Sequence, residues 1–147
     1  MNLPRNLYLL VRDDQDTIRI CGNTSCIALG SVLSSQDRIE LILPLFLELA
    51  SDSSWRVRYT TVTQIGDICG LFDHTVIESK LVPAFLHLIQ DPELEVRTGA
   101  SMNISKICYY LEPPFIVSTM MKSIANLAVD PSEHVRIGFA NEILSRT

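Results

Sequence analysis

The sequence has no apolar run long enough to cross a membrane. Its densest, "IELILPLFLELA" from Ile39, is 12 residues long and carries Glu40 and Glu48, whereas a helical span takes about 20 predominantly apolar residues. It has no surplus of basic charge either. Twelve Lys and Arg against 17 Asp and Glu leave a net charge of −5 and a pI of about 5.1, which excludes the basic footprint of a general nucleic-acid or anionic-membrane binder. The start, "MNLPRNLYLLVRDD", lacks the basic stretch, sustained apolar run and small-residue cleavage site of a secretory leader. Cys21, Cys26, Cys69 and Cys108 form no C-x-x-C pair. They read as reduced, buried thiols of a cytosolic or nuclear protein. Without a secretory route, the glycosylation sequons Asn23-Thr24-Ser25 and Asn103-Ile104-Ser105 read as chance matches.

Reactive groups are sparse too. His74, His87 and His134 are scattered, and none stands at metal-ligand spacing from a Cys, Asp or Glu. There is no G-x-S-x-G, Gly-rich phosphate loop or H-E-x-x-H. The expectation is a protein with no catalytic, cofactor or metal site, and therefore not an enzyme. Apolar residues still make up 47% of the chain, too many for a disordered one.

What is present is a repeat. Four segments, "DDQDTIRI", "DSSWRVRY", "DPELEVRT" and "DPSEHVRI", begin at Asp13, Asp52, Asp91 and Asp130. The step is 39 residues each time, without insertion or deletion. Arg follows six residues later (Arg19, Arg58, Arg97, Arg136), preceded by Ile18, Val57, Val96 or Val135. A Leu precedes each Asp by three residues, and large apolar residues precede it by six (Leu7, Phe46, Phe85, Ile124) and by ten (Leu3, Ile42, Leu81, Met120). A fixed period with this many matching columns is the mark of a repeat array.

Each unit reads as two helices. Ile42, Phe46 and Leu49 before the Asp, and Val57, Thr61, Ile65, Ile68 and Phe72 after it, keep the three-and-four spacing of one helix face. The Asp between them suits the N-cap of the second helix. Pro92 and Pro131 follow it at the favoured first helical position, and Asp130 with Glu133 has capping-box spacing. Pro44 and Pro83 should kink the first helices or mark their effective start. The predicted helices cover 3–12, 15–33, 38–50, 53–71, 75–90, 92–111, 115–129 and 131–146. They form one all-α solenoid over 1–147, with units at approximately 1–35, 36–73, 74–112 and 113–147.

Helix pairs of this length, with Pro in the first helix and D-x-x-x-x-[VI]-R leading the second, resemble HEAT repeats over the whole chain. The resemblance implies a ladder of bonds between neighbouring units, made here by Asp13, Asp52, Asp91 and Asp130 with Arg19, Arg58, Arg97 and Arg136. The strict 39-residue step, "DSSWRVRY" and "KLVPAF…DPELEVR" more narrowly resemble the scaffold (A) subunits of protein phosphatase 2A, long all-HEAT solenoids whose intra-repeat turns hold regulatory subunits. Two departures stand against that family: the chain has four units only, and Arg5 and Lys122 stand where the middle units have Pro44 and Pro83. A fragment, a short divergent paralogue and a piece of a related regulator all remain open. The nearest alternatives are a HEAT-type regulatory subunit of phosphatase 4 and a HEAT module of a transport or chromatin-associated protein. Gln64, Asn103 and Glu142 read as solvent positions of the second helices. None is basic, which favours the phosphatase reading. The resemblance implies a non-catalytic scaffold whose partners are phosphatase catalytic or regulatory subunits, with neither nucleic acid nor membrane.

The only tryptophan is Trp55, and its equivalents in the other units are Asp16, Leu94 and Glu133. Two of those three are charged, so the column should face water on the ridge of intra-repeat turns. The expected partner-binding residues on that ridge are Trp55, Arg56, Glu93, Glu95, Glu133 and His134. Aromatic and Arg side chains dominate interface energetics. The plainer alternative is that Trp55 lies against the neighbouring turn, with Arg56 and His134 solvated. At the ends, Leu3, Leu7 and Leu10 and, in the last unit, Ile137, Phe139 and Ile143 are expected to lack a covering repeat. On that reading the chain is a section of a longer array.

Overall fold

The computed structural model describes residues 2–145. These residues form four helix pairs and no strand. The first helices cover Leu3–Val11, 35–50, 74–89 and 113–129, and the second helices Asp16–Gly30, 55–69, 94–108 and Glu133–Leu144. Each second helix packs beside the next, so the pairs stack into a solenoid. No described helix is long and apolar enough to span a membrane.

The 39-residue period reaches into backbone details. The first helices of the second and third repeats are capped by Ser34 and Asp73, whose side chains accept the N–H of Asp37 at 3.2 Å and of Val76 at 3.0 Å. These caps start the helices up to three residues earlier than the apolar spacing suggests. One turn on, Arg38–Ile42, Ile77–Leu81 and Ile116–Met120 widen into π turns. There the N–H of Leu43, Val82 and Met121 bonds the carbonyl five residues back. Pro44 and Pro83 come immediately after the π turn, near the start of the α-helical segment. The fourth repeat keeps the π turn with Lys122 in place of proline. The stacked fold therefore sets this turn, and proline tolerates it because its missing N–H and fixed φ suit a helix start.

The second helices of the middle repeats are interrupted at equivalent places, around Gln64 (φ −100°, ψ 12°) and Asn103 (φ −122°, ψ 10°). Short polar side chains compete for helix carbonyls there. Thr61 Oγ1 donates to Val57 O at 2.8 Å, Thr63 Oγ1 to Thr60 O at 2.8 Å, Ser101 Oγ to Thr98 O at 2.8 Å, and Asn103 Nδ2 to Gly99 O at 2.7 Å. Just beyond the interruption, the Ser105 N–H donates to Glu142 of the next repeat at 2.8 Å. This corrects the reading of Gln64, Asn103 and Glu142 as solvent positions. Asn103 is buried, Gln64 and Glu142 are half-buried, and all three sit at the seam between second helices. Asn23 and Asn103, the two sequon asparagines, are both buried.

The core is the set of period-39 columns. Phe46 and Phe85 are fully buried at one position, Leu49 and Leu88 at the next, and Ile42, Leu81 and Met120 at a third. Each such side chain contributes about 1.5–3 kcal/mol of hydrophobic stabilisation. At the ends, Leu3, Ile137 and Ile143 are exposed. Leu7 is buried and Leu10 and Phe139 are half-buried, contrary to expectation, because each packs against helices of its own or the adjoining repeat. The thiols meet the expectation of burial in two of four cases. Cys26 and Cys69 are buried, and burial pushes both up to about 12. Cys108 is half-buried and Cys21 exposed, since it lies on the outer face of its helix.

Candidate functional site

The intra-repeat turns carry the repeated Asp and Arg, and geometry joins them across repeats. Arg19 donates through Nε and Nη2 to both carboxylate oxygens of Asp52 (2.8 and 2.9 Å). Arg58 does the same to Asp91 (2.8 and 3.1 Å) and Arg97 to Asp130 (2.9 and 3.2 Å). The remaining Nη1 of each Arg reaches back to its own turn, where the carbonyls of Asp13, Asp52 and Asp91 accept at 2.7–2.9 Å. Arg136 makes the same inward bond to Asp130 O at 2.6 Å, with no following Asp among the described residues. Each rung is a two-point, charge-assisted pair, which fixes orientation as well as distance.

The aspartates act differently from the N-caps anticipated. The helices begin three residues after each Asp, and the N-cap positions are Gln15, Ser54, Glu93 and Ser132, none with a side-chain capping bond. Each Asp instead accepts the backbone N–H two residues on: Gln15 at 2.9 Å, Ser54 at 2.8 Å, Glu93 at 3.0 Å and Ser132 at 2.9 Å. This is an Asx turn. It holds the carboxylate at the entrance to the helix, and in Asp52, Asp91 and Asp130 both oxygens also accept from the Arg of the preceding repeat. Pro92 and Pro131 consequently sit in the turn rather than at the first helical position, and Glu133 forms no capping box with Asp130. Burial pushes the Asp52 and Asp130 carboxyls up. The hydrogen bonds from Arg19 and Arg97, the backbone N–H groups of Ser54 and Ser132, and the nearby guanidinium charges outweigh it and hold both below the usual carboxylate range.

On the exposed lip of the same turns the repeats diverge. Trp55, Leu94 and Glu133 each open a second helix at the same position. A groove of about 380 Å³ runs across the seams of the last three repeats, lined by Trp55, Tyr59, Leu94, Glu95, Thr98 and His134. Trp55 is half-buried: it packs partly on the core and leaves the rest of its ring to the groove. The expectation of a column wholly in water does not hold for it, because an indole is too large to leave the helix surface. Tyr59 and Leu94 are each 40% exposed. Tyr59 lies over Gly99, where an added Cβ would meet two of its ring atoms at 3.0 Å and Val62 at 3.1 Å. Any larger residue there needs the Tyr59 ring and Val62 to give by a few tenths of an ångström.

Of the six expected ridge residues, the groove gathers Trp55, Glu95 and His134. Glu93 and Glu133 are exposed and each precedes a lining residue in the chain, but neither lines the groove. Arg56 turns away. Its guanidinium lies 5.1 Å from the Trp55 ring centroid and 3.9 Å from Asp16 in the first repeat, with 62% of the side chain exposed. Tyr59, Leu94 and Thr98 were not anticipated as site residues. Helical spacing could have found them, since Tyr59 is four residues after Trp55 and Thr98 four after Leu94. A second cleft, of about 330 Å³, lies between Ile104, Cys108, Ile124 and Phe139. The equivalents of the first three one repeat earlier, Ile65, Cys69 and Phe85, are buried by stacking. It therefore belongs to the packing flank and not to the ridge.

Arg38 is a further residue missed in the sequence. It donates to Gly30 O at 2.6 Å, Ser31 O at 3.4 Å and Leu71 O at 3.2 Å. It thus serves carbonyls at the ends of two successive second helices, where a cation is favoured.

Comparison with known proteins agrees with this architecture. A family model described as a PPP2R1A-like HEAT repeat matches residues 74–145, and a HEAT-repeat model matches residues 42–72. No curated protein matches the chain. Among solved structures, "Crystal structure of Cex1p" superposes with a TM-score of 0.80 at 21% identity, over 95% of this chain and 28% of that one. At that identity the likeness concerns the fold alone, and the chain spans under a third of the matched structure. Helix pairs on one 39-residue step, joined at every seam by the same Asp–Arg pair and matched by two HEAT models along the last three repeats, make this chain a HEAT-repeat protein.

Proposed function

We propose that the protein is a non-catalytic scaffold of a phosphatase 2A-type complex, acting in the cytosol or nucleus, which presents its intra-repeat turns to a catalytic or regulatory subunit. The observation that carries this reading is the groove of Trp55, Tyr59 and Leu94 on the ridge. There the fold leaves apolar side chains partly open beside turns that are otherwise polar, and exposed aromatic clusters of this kind mark protein contacts. The match of the last two repeats to the PPP2R1A-like HEAT repeat supports a phosphatase setting. The four cysteines form no disulfide, which suits a reducing compartment.

The test is direct binding of the purified protein to a purified phosphatase 2A catalytic subunit and to its regulatory subunits. Wild type should bind at least one of them, and Trp55→Ala should weaken that binding by about 2 kcal/mol, the scale of an interface hot spot. Absence of binding by wild type, or equal binding by the variant, would remove the ridge from the interface.

A further inference from the structure

The groove has a charge pattern that selects the chemistry of its occupant. Its apolar floor is Trp55, Tyr59 and Leu94, and the ionisable residues lining it are Glu95 and His134. Glu93 and Glu133 stand exposed next to the lining residues Leu94 and His134. The arginines of the same turns are engaged elsewhere. Arg58 and Arg97 are held by Asp91 and Asp130, and Arg136 donates to the carbonyls of its own turn. Arg56 lies over the Trp55 ring and 3.9 Å from Asp16, and it is not among the residues lining the groove. The half of the ridge that holds the groove therefore offers Glu95 in the lining and two exposed carboxylates one residue from it, beside aromatic and aliphatic side chains, with His134 but no Lys or Arg lining the groove.

We propose that this groove seats an extended protein segment in which a bulky apolar residue is flanked by Lys or Arg. The apolar residue enters between Trp55, Tyr59 and Leu94. The flanking cations meet Glu95 and the exposed Glu93 and Glu133, and a cation placed over the Tyr59 face gains further from the ring. An acidic segment brings like charges together and is rejected, so the carboxylates supply specificity while the aromatic floor supplies affinity. This inference rests on the reading of the ridge as a docking surface and adds the partner's chemistry to it.

A random dodecapeptide library displayed on phage, selected on the immobilised full chain, tests it. The expected enriched sequences carry Leu, Phe, Met or Trp with Lys or Arg within two residues. Synthetic peptides made from them should lose about tenfold or more in affinity toward Glu95→Lys, lose similarly toward Leu94→Ser, and weaken as ionic strength rises. Leu94 is exposed and Glu95 half-buried, and an unchanged circular-dichroism melt shows that the fold is intact. Three results overturn the proposal. Groove-dependent enrichment of acidic or uncharged sequences leaves the docking ridge standing and removes the basic partner. Peptides that bind both variants as tightly as wild type, or no enrichment at all, remove the groove itself. A mixed-sequence 20-mer RNA that binds with dependence on Leu94 and Glu95 reassigns the groove to nucleic acid.

Discussion

The inner and outer halves of the intra-repeat turns obey different rules. On the inner half every repeat uses the same Asp and Arg, and successive rungs agree to within a few tenths of an ångström. On the outer lip the equivalent residues are Asp16, Trp55, Leu94 and Glu133, with no common chemistry. The inner half answers to stacking. A carboxylate buried at a seam needs a cation from its neighbour and a backbone N–H from its own turn, and only one arrangement supplies both. The lip answers to no such demand, so its residues are free to serve a partner. Repetition marks what the fold requires, and departure from it marks where function can reside.

Breaking the inner half should have the largest effect. Asp91→Ala removes both rung bonds to Arg58 and the Asx turn at Glu93. It leaves a guanidinium side chain only 15% exposed without its carboxylate. The expected loss is about 3 kcal/mol, the scale of breaking a buried ion pair on one side, measurable as a lower urea midpoint. Next comes the packing beneath the groove. Gly99→Val places methyl groups where the Tyr59 ring and Val62 already lie, for an expected cost of about 1–3 kcal/mol of overpacking, with weaker groove binding because Tyr59 is displaced.

Acid should erode the inner half alone. Asp52 and Asp130 have folded-state pKa values below the ordinary one, so their stabilisation is complete above the unfolded carboxylate value of about 3.9 and is lost as pH falls through the lower folded values. Stability should stay level from neutrality to about pH 5, apart from ordinary surface titration, and then decline. Asp130→Asn should flatten that decline, and an unchanged acid limb in the variant would show that the rung does not carry it. The smallest effect belongs to the lip. Leu94→Ser and Glu95→Gln should each change stability by no more than about 0.5 kcal/mol, as surface substitutions do.

The same contrast explains what could be read in advance. The solenoid, the core columns and the pairing partners were legible because periodicity repeats each signal four times. Ser34 and Asp73 were missed as caps, and Arg38 as a carbonyl clamp, because their partners lie in loop geometry that apolar spacing does not describe. The Asp was taken for an N-cap because an Asx turn and an N-cap use the same residue type a few positions from the same helix. Gln64, Asn103 and Glu142 were placed in water because a regular helix was assumed, and the interruptions at Gln64 and Asn103 turn that face toward the seam. The groove depends on Gly99 facing Tyr59 across two repeats, a contact that no single-repeat pattern contains.

The most direct measurement compares two arginines two residues apart, one on each half of the turn. Urea unfolding of Arg58→Ala and Arg56→Ala should show a loss of about 1.5–3 kcal/mol for Arg58, which leaves Asp91 buried and unpaired. Arg56, exposed and loosely held by Asp16, should lose no more than about 0.5 kcal/mol. Equal midpoint shifts for the two variants would contradict the division of the turns into a structural inner half and a free outer lip.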